Sequence, residues 1–92
     1  SWTPLFAVLE QLLPQGMRLE RIRIRPGPVL YLSLAGEVKT VNQLSGFLQT
    51  LFSHERFSNP RLLRQTQVSS GSEVLTTFEM EMEYLPLKEA QP

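Results

Sequence analysis

The chain has 92 residues, 41% of them hydrophobic, which is enough for one small core and makes a single domain the expectation. Nine Lys or Arg balance nine Asp or Glu, so no net charge draws the chain toward nucleic acid or an anionic membrane. Without cysteine, disulfides and thiolate metal sites are excluded, and no apolar run approaches the ~20 residues needed to cross a bilayer.

Thr3 and Pro4 read as a helix N-cap followed by proline at the first helical position. Leu5, Val8, Leu9, Leu12 and Leu13 then recur at helical spacing, with Glu10 and Gln11 on the wetter side, until Pro14 and Gly16 stop the helix. Trp2 either packs at the helix start or lies at a fragment boundary. No signal peptide is visible, and the opening Ser1-Trp2-Thr3-Pro4 is expected of a processed product or a piece of a longer protein.

Arg21 to Arg25 alternates arginine and isoleucine, the pattern of a half-buried strand. Met17 and Leu19 are out of phase with Ile22 and Ile24, so either a bulge lies near Glu20 or Arg21 or the strand begins there. Pro26-Gly27-Pro28 makes a turn. Val29 to Ala35 is the second strand, with Leu30, Leu32 and Leu34 toward the core and Gly36 ending it. A helix is predicted from Thr40 to Phe52, with Val41, Leu44, Phe47, Leu48, Leu51 and Phe52 in a broad apolar stripe.

Leu62 to Val68 is a weak third strand whose Gln65, Thr66 and Gln67 suit a sheet edge, and Ser69 to Ser72 is a turn. Val74 to Tyr84 is the clearest strand: Thr76, Phe78, Met80, Met82 and Tyr84 share one face, and Glu79, Glu81 and Glu83 the other. From Pro86 onward a frayed tail is expected. The order α-β-β-α-β-β predicts a two-layer α+β sandwich. A right-handed crossover leaves the fourth strand between the second and third, giving an antiparallel sheet of order 1-2-4-3. This is the ferredoxin-like arrangement in circularly permuted form.

Two helices cover one sheet face, which leaves the other open. It would present Arg21, Arg23 and Arg25, then Val29, Tyr31, Ser33 and Ala35, then Glu79, Glu81 and Glu83. Such a face is a solvated surface in its plainest reading. Read functionally, it is a partner surface centred on Tyr31 and Val29, with Arg21, Arg23 and Arg25 setting orientation. The arginines on an edge strand either discourage sheet extension or meet another chain. Only Tyr31 is a stacking aromatic here, and the glutamate row argues against nucleic acid.

No catalytic pattern emerges. His54 is the only histidine, and next to Glu55 at a helix end it reads as an exposed residue. No G-x-S-x-G, Walker or G-x-G-x-x-G pattern occurs. The glutamate row is read as solvated charge rather than a cation site, and Gly46 as a packing or merely exposed position. The expectation is a non-enzymatic domain with no cofactor, no metal and no small-molecule substrate.

The stretches Leu13-Pro14-Gln15-Gly16-Met17, Leu34-Ala35-Gly36, Phe47-Leu48 with Leu51, and Phe57-Ser58-Asn59-Pro60-Arg61-Leu62 fall in an order that resembles the periplasmic domain of the type IV pilus assembly protein family PilN. The likeness spans roughly residues 5 to 85, and the arginine-rich first strand and Pro-Gly-Pro turn depart from it. The resemblance implies a structural adaptor of an inner-membrane alignment platform, pairing with itself or with a PilO-like domain. It also implies an amino-terminal tail and membrane helix ahead of Ser1, the tail docking on a PilM-like cytoplasmic protein. Related platform domains of type II secretion, GspL and GspM, share the general plan and stand as the alternative, beside a small-ligand-sensing ferredoxin-like domain. In this reading Phe57-to-Leu62 is a joint: Phe57 anchors the helix exit, Pro60 keeps Asn59 extended, and Leu62 or Leu63 returns to the core.

Overall fold

The computed structural model describes residues 3–86, so Trp2 and the tail beyond Pro86 lie outside the described residues. Its elements are α1 (Thr3–Leu12), β1 (Met17–Arg25), β2 (Leu30–Val38), α2 (Val41–Ser53), β3 (Phe57–Ser70) and β4 (Glu73–Tyr84). The strands form one antiparallel sheet of order β1-β2-β4-β3. The architecture is the circularly permuted ferredoxin-like two-layer sandwich.

The core lies between the helices and one sheet face. Leu5 and Leu9 enter it from α1, Leu44, Phe47 and Leu51 from α2. Leu32 and Leu34 of β2 meet Phe78, Met80 and Met82 of β4, all 2% exposed or less. Each such side chain contributes about 1.5–3 kcal/mol by leaving water. The helical stripe of α2 is narrower than the sequence suggests: Val41 is 36% and Phe52 66% exposed. They lie at the margins of an arc whose buried centre is Leu44, Phe47 and Leu51, with Leu48 partly buried against the core beside them.

The first helix and first strand are joined by a turn that also holds the second helix. Gly16 takes φ +83, a left-handed conformation, and the Met17 amide donates to the Pro14 carbonyl at 3.3 Å. The Thr40 hydroxyl accepts from the Gln43 amide, and the Gln43 side chain accepts from the Thr40 amide, both at 3.2 Å. This reciprocal cap starts α2. The Gln43 Nε2 then donates to the Gln15 carbonyl at 2.8 Å, tying the α2 start to the Pro14-Gln15-Gly16 turn.

A bulge explains the phase of β1. Leu19 pairs with Gly36, but the next partner, Ala35, faces Arg21, so Glu20 is the extra residue. The insertion puts Met17 and Leu19 on the same face as Ile22 and Ile24, and all four pack against the core. Gly36 does not end β2, which runs on to Val38, itself fully buried. A side chain at Gly36 would collide with the Arg18 carbonyl oxygen; glycine is needed there for close backbone approach, not to terminate the strand.

The third strand departs most from expectation. It begins at Phe57, and Phe57-to-Leu62 lies inside it, not in a joint. Two register shifts, between Ser58 and Arg61 and between Leu62 and Arg64, absorb the extra residues. Phe57 is buried, 5.0 Å from the Tyr84 ring and edge-on to His54 at 5.2 Å. Asn59 adopts φ +55, so proline at the next position does not hold it extended. Asparagine is among the residues that enter this left-handed region most readily. Leu62 packs against the core, whereas Leu63 is 54% exposed.

Candidate partner-binding surface

On the open face the register lays side chains in rows across four strands. Arg25, Tyr31, Glu83 and Ser58 form one row; Arg23, Ser33, Glu81 and Arg61 the next; Arg21, Ala35, Glu79 and Arg64 a third. The central glutamates therefore lie between a basic strand on either side. Sequence patterning exposed only one of those sides, because Arg61 and Arg64 sit in a segment whose parity is shifted twice.

Arg61 is the organising residue. Its Nη1 donates to Glu83 Oε2 at 3.1 Å and to the Asn59 carbonyl at 3.0 Å. Its Nη2 donates to Glu81 Oε1 and to the Tyr31 hydroxyl, each at 3.1 Å. The bulge over Asn59 and Pro60 aims the guanidinium across the sheet, and the Asn59 carbonyl fixes it there. Hydrogen bonding to the Glu83 carboxylate raises the Arg61 pKa further above its ordinary value, so the cation persists throughout the working range. Tyr31 is shifted upward as well, chiefly by the Glu81 carboxylate beside its hydroxyl, with Arg61 opposing. The tyrosine ring is flanked by two guanidiniums, Arg25 at 4.9 Å and Arg61 at 5.6 Å from its centroid.

The residues singled out in the sequence are only partly assembled. Arg25 and Tyr31 meet through ring stacking. Arg21 lies 3.8 Å from Glu79, a loose and exposed pair, while Arg18 meets Glu37 at 3.0 Å. Among the described residues Arg23 has no carboxylate within ion-pair distance. Val29 is not on the strand: β2 begins at Leu30, and Val29 lies in the turn before it, 42% exposed. The signal that could have found Arg61 is composition: with three glutamates on an inner strand, a cation is required from the far side as well as from β1.

The remaining features are structural. His54 is the C-cap of α2; its amide donates to the Leu51 carbonyl, and its Nδ1 accepts from the Arg56 amide at 3.1 Å. It is half-buried, not fully exposed, because its ring lies against Phe57. Arg56 continues the clasp, bonding both ways with Leu85 at 2.8 and 3.2 Å and closing β4 onto the start of β3. Gly46 faces open space on α2. Among the described residues no cluster of His, Asp or Glu has the arrangement to hold a metal ion, and no helix is long and apolar enough to cross a membrane.

A wider apolar depression lies on the helical side, where Phe6, Leu9 and Leu13 of the α1 segment face Met17, Leu19 and Ile22 of β1 around about 530 Å³. On the open face a smaller hollow of about 320 Å³ sits over Ala35 and Gly36. The first is lined mainly by apolar side chains, whereas the second is ringed by Glu20, Arg21, Arg64, Thr66, Thr77 and Glu79.

Searches of the curated proteins and of the solved structures gave no match. The family model described as "Fimbrial assembly protein (PilN)" matches residues 4–84, which takes in both helices and all four strands almost entirely. The chain belongs to the PilN family of fimbrial assembly proteins, as a periplasmic domain of the non-catalytic adaptor type.

Proposed function

We propose that this domain is a structural adaptor of the type IV pilus inner-membrane alignment platform and works by pairing, with itself or with a PilO-like periplasmic domain. The observation that supports this most is the family match across a sheet whose two edges, β1 and β3, pair with no further strand among the described residues. An open-edged sheet offers main-chain hydrogen bonds to a partner without any cofactor or turnover. On this reading the protein also reaches a PilM-like cytoplasmic partner through an amino-terminal tail ahead of the present chain.

For the unlike partner, the basic flank of the sheet is the proposed contact: Arg21, Arg23, Arg25, Val29 and Tyr31. The charge available there is smaller than the sequence alone suggests, since Arg21 already leans on Glu79 and Arg25 on Tyr31. Arg23 and the exposed Val29 at the end of the flank are the groups with most to gain from a partner. Interface residues of this kind set orientation and encounter rate more than affinity.

Sedimentation equilibrium of the chain, alone and mixed with the periplasmic domain of a PilO-like protein, tests the reading. A concentration-dependent dimer or a defined mixed species is expected. Monomers in both samples would contradict it. Tyr31→Ala is expected to leave the fold intact by circular dichroism while weakening the mixed species, because Tyr31 contributes to the open face and not to the core.

A further inference from the structure

The two edges of the sheet are chemically unlike. The outer face of β1 carries Arg18, Arg21, Arg23 and Arg25 in close succession. If two copies of β1 paired antiparallel, these arginines would oppose one another across the join, which is destabilising. Edge β3 is the reverse. From Gln65 to Ser70 it holds no charge and no proline, and every residue is exposed. Natural sheets usually guard such an edge with charges, proline or a covering segment.

A second observation points the same way. Pairing between β2 and β4 ends at Val38 opposite Thr76, whereas β3 and β4 continue to Ser70 opposite Glu73. The last three pairs are therefore a two-stranded ribbon beyond the body of the sheet. Val68 and Val74 there are 43% and 55% exposed. A lone two-stranded ribbon is marginal in water, and an added strand would stabilise it.

We propose that the Gln65–Ser70 edge is the self-association surface, and that its occupant is the same segment of a second copy, antiparallel about a two-fold axis. The proposal rests on the pairing reading above and assigns it a surface. The segment is self-complementary by charge. With the axis at Gln67, Gln65 faces Ser69, Thr66 faces Val68, and Arg64 faces Ser70, so no two like charges meet. Antiparallel pairing about an axis normal to the sheet keeps both helical layers on one side and makes a continuous sheet of order β1-β2-β4-β3-β3-β4-β2-β1. The alternative, β1 of one copy on β3 of the next, is heterologous; unless its rotation closes a ring it propagates into open filaments. Self-pairing through β3 leaves the basic β1 flank of each copy free for an unlike partner.

The test is sedimentation equilibrium of the chain beside its Gln65→Lys/Gln67→Lys variant. Both positions are exposed, so the variant keeps its fold, but paired copies would bring lysines face to face. A dimer that weakens on the order of tenfold or more in the variant supports the proposal. An equal dimer in both overturns the β3 assignment while leaving self-pairing itself intact. A monomer for the unsubstituted chain also overturns it, and the mixture with a PilO-like domain then decides the adaptor reading separately. Because the chain has no cysteine, single cysteines give a second readout. Gln67→Cys is expected to oxidise to a disulfide dimer and Arg23→Cys to remain monomeric; the reverse pattern would refute the β3 edge.

Discussion

Compare the two edge strands, β1 and β3. Both are outermost in one sheet, yet β1 is anchored along its length and β3 only at its start. Met17, Leu19, Ile22 and Ile24 all pack against the core from β1. In β3 the buried or half-buried residues end at Leu62, and the eight from Leu63 to Ser70 are exposed. The difference teaches that edge position does not fix an edge strand's role. One edge is docked through its apolar face and marked by arginine. The other is held by Phe57, Arg61 and Leu62, and beyond them by its ladder to β4 with its side chains exposed.

The comparison can be broken most severely at the anchor of β3. Phe57→Ala removes a buried ring packed on Tyr84 and His54, and a loss of about 3–5 kcal/mol is expected in chemical denaturation. The distal ribbon should loosen with it, whereas β1 should keep its amide protection until global unfolding. Gly36→Ala attacks the other edge. The new methyl meets the Arg18 carbonyl and the Leu19 backbone, so the bulge at Glu20 must open, at about 1–3 kcal/mol. Here the expected change in amide exchange falls on β1 and spares β3.

A smaller effect sharpens the picture at the open face. Arg61→Met keeps the stem but removes the guanidinium that serves Glu81, Glu83 and Tyr31 together. Its side chain is one-third exposed, so solvent screens the loss. About 1–2 kcal/mol is expected, less at high salt, against near zero for Arg21→Met, whose contact is at 3.8 Å and exposed. Equal losses for the two would mean that Arg61 has no special place.

Most of the fold was legible because period and parity are strong signals where a strand is regular. In β4 alternate residues from Thr76 to Tyr84 are buried, and the odd phase of Met17 and Leu19 left a bulge or a later strand start as the two readings, of which the register selects the bulge. Parity fails where a strand is interrupted. In β3, Asn59-Pro60 reads as a turn, since both residues favour turns, yet here they form a bulge within the ladder. That one misreading hid both the length of β3 and the role of Arg61. Gly36 was misjudged for a related reason: a glycine that admits a neighbouring backbone and one that ends a strand look alike in sequence. On the open face the arginine and glutamate rows were visible, but their mutual neutralisation needed the register.

The contrast between the edges is tested most directly by amide hydrogen exchange at low and high protein concentration. Raising the concentration is expected to protect Gln65–Ser70 selectively and to leave Arg21–Arg25 unchanged. Protection appearing at Arg21–Arg25 instead, or at neither edge, would contradict the account.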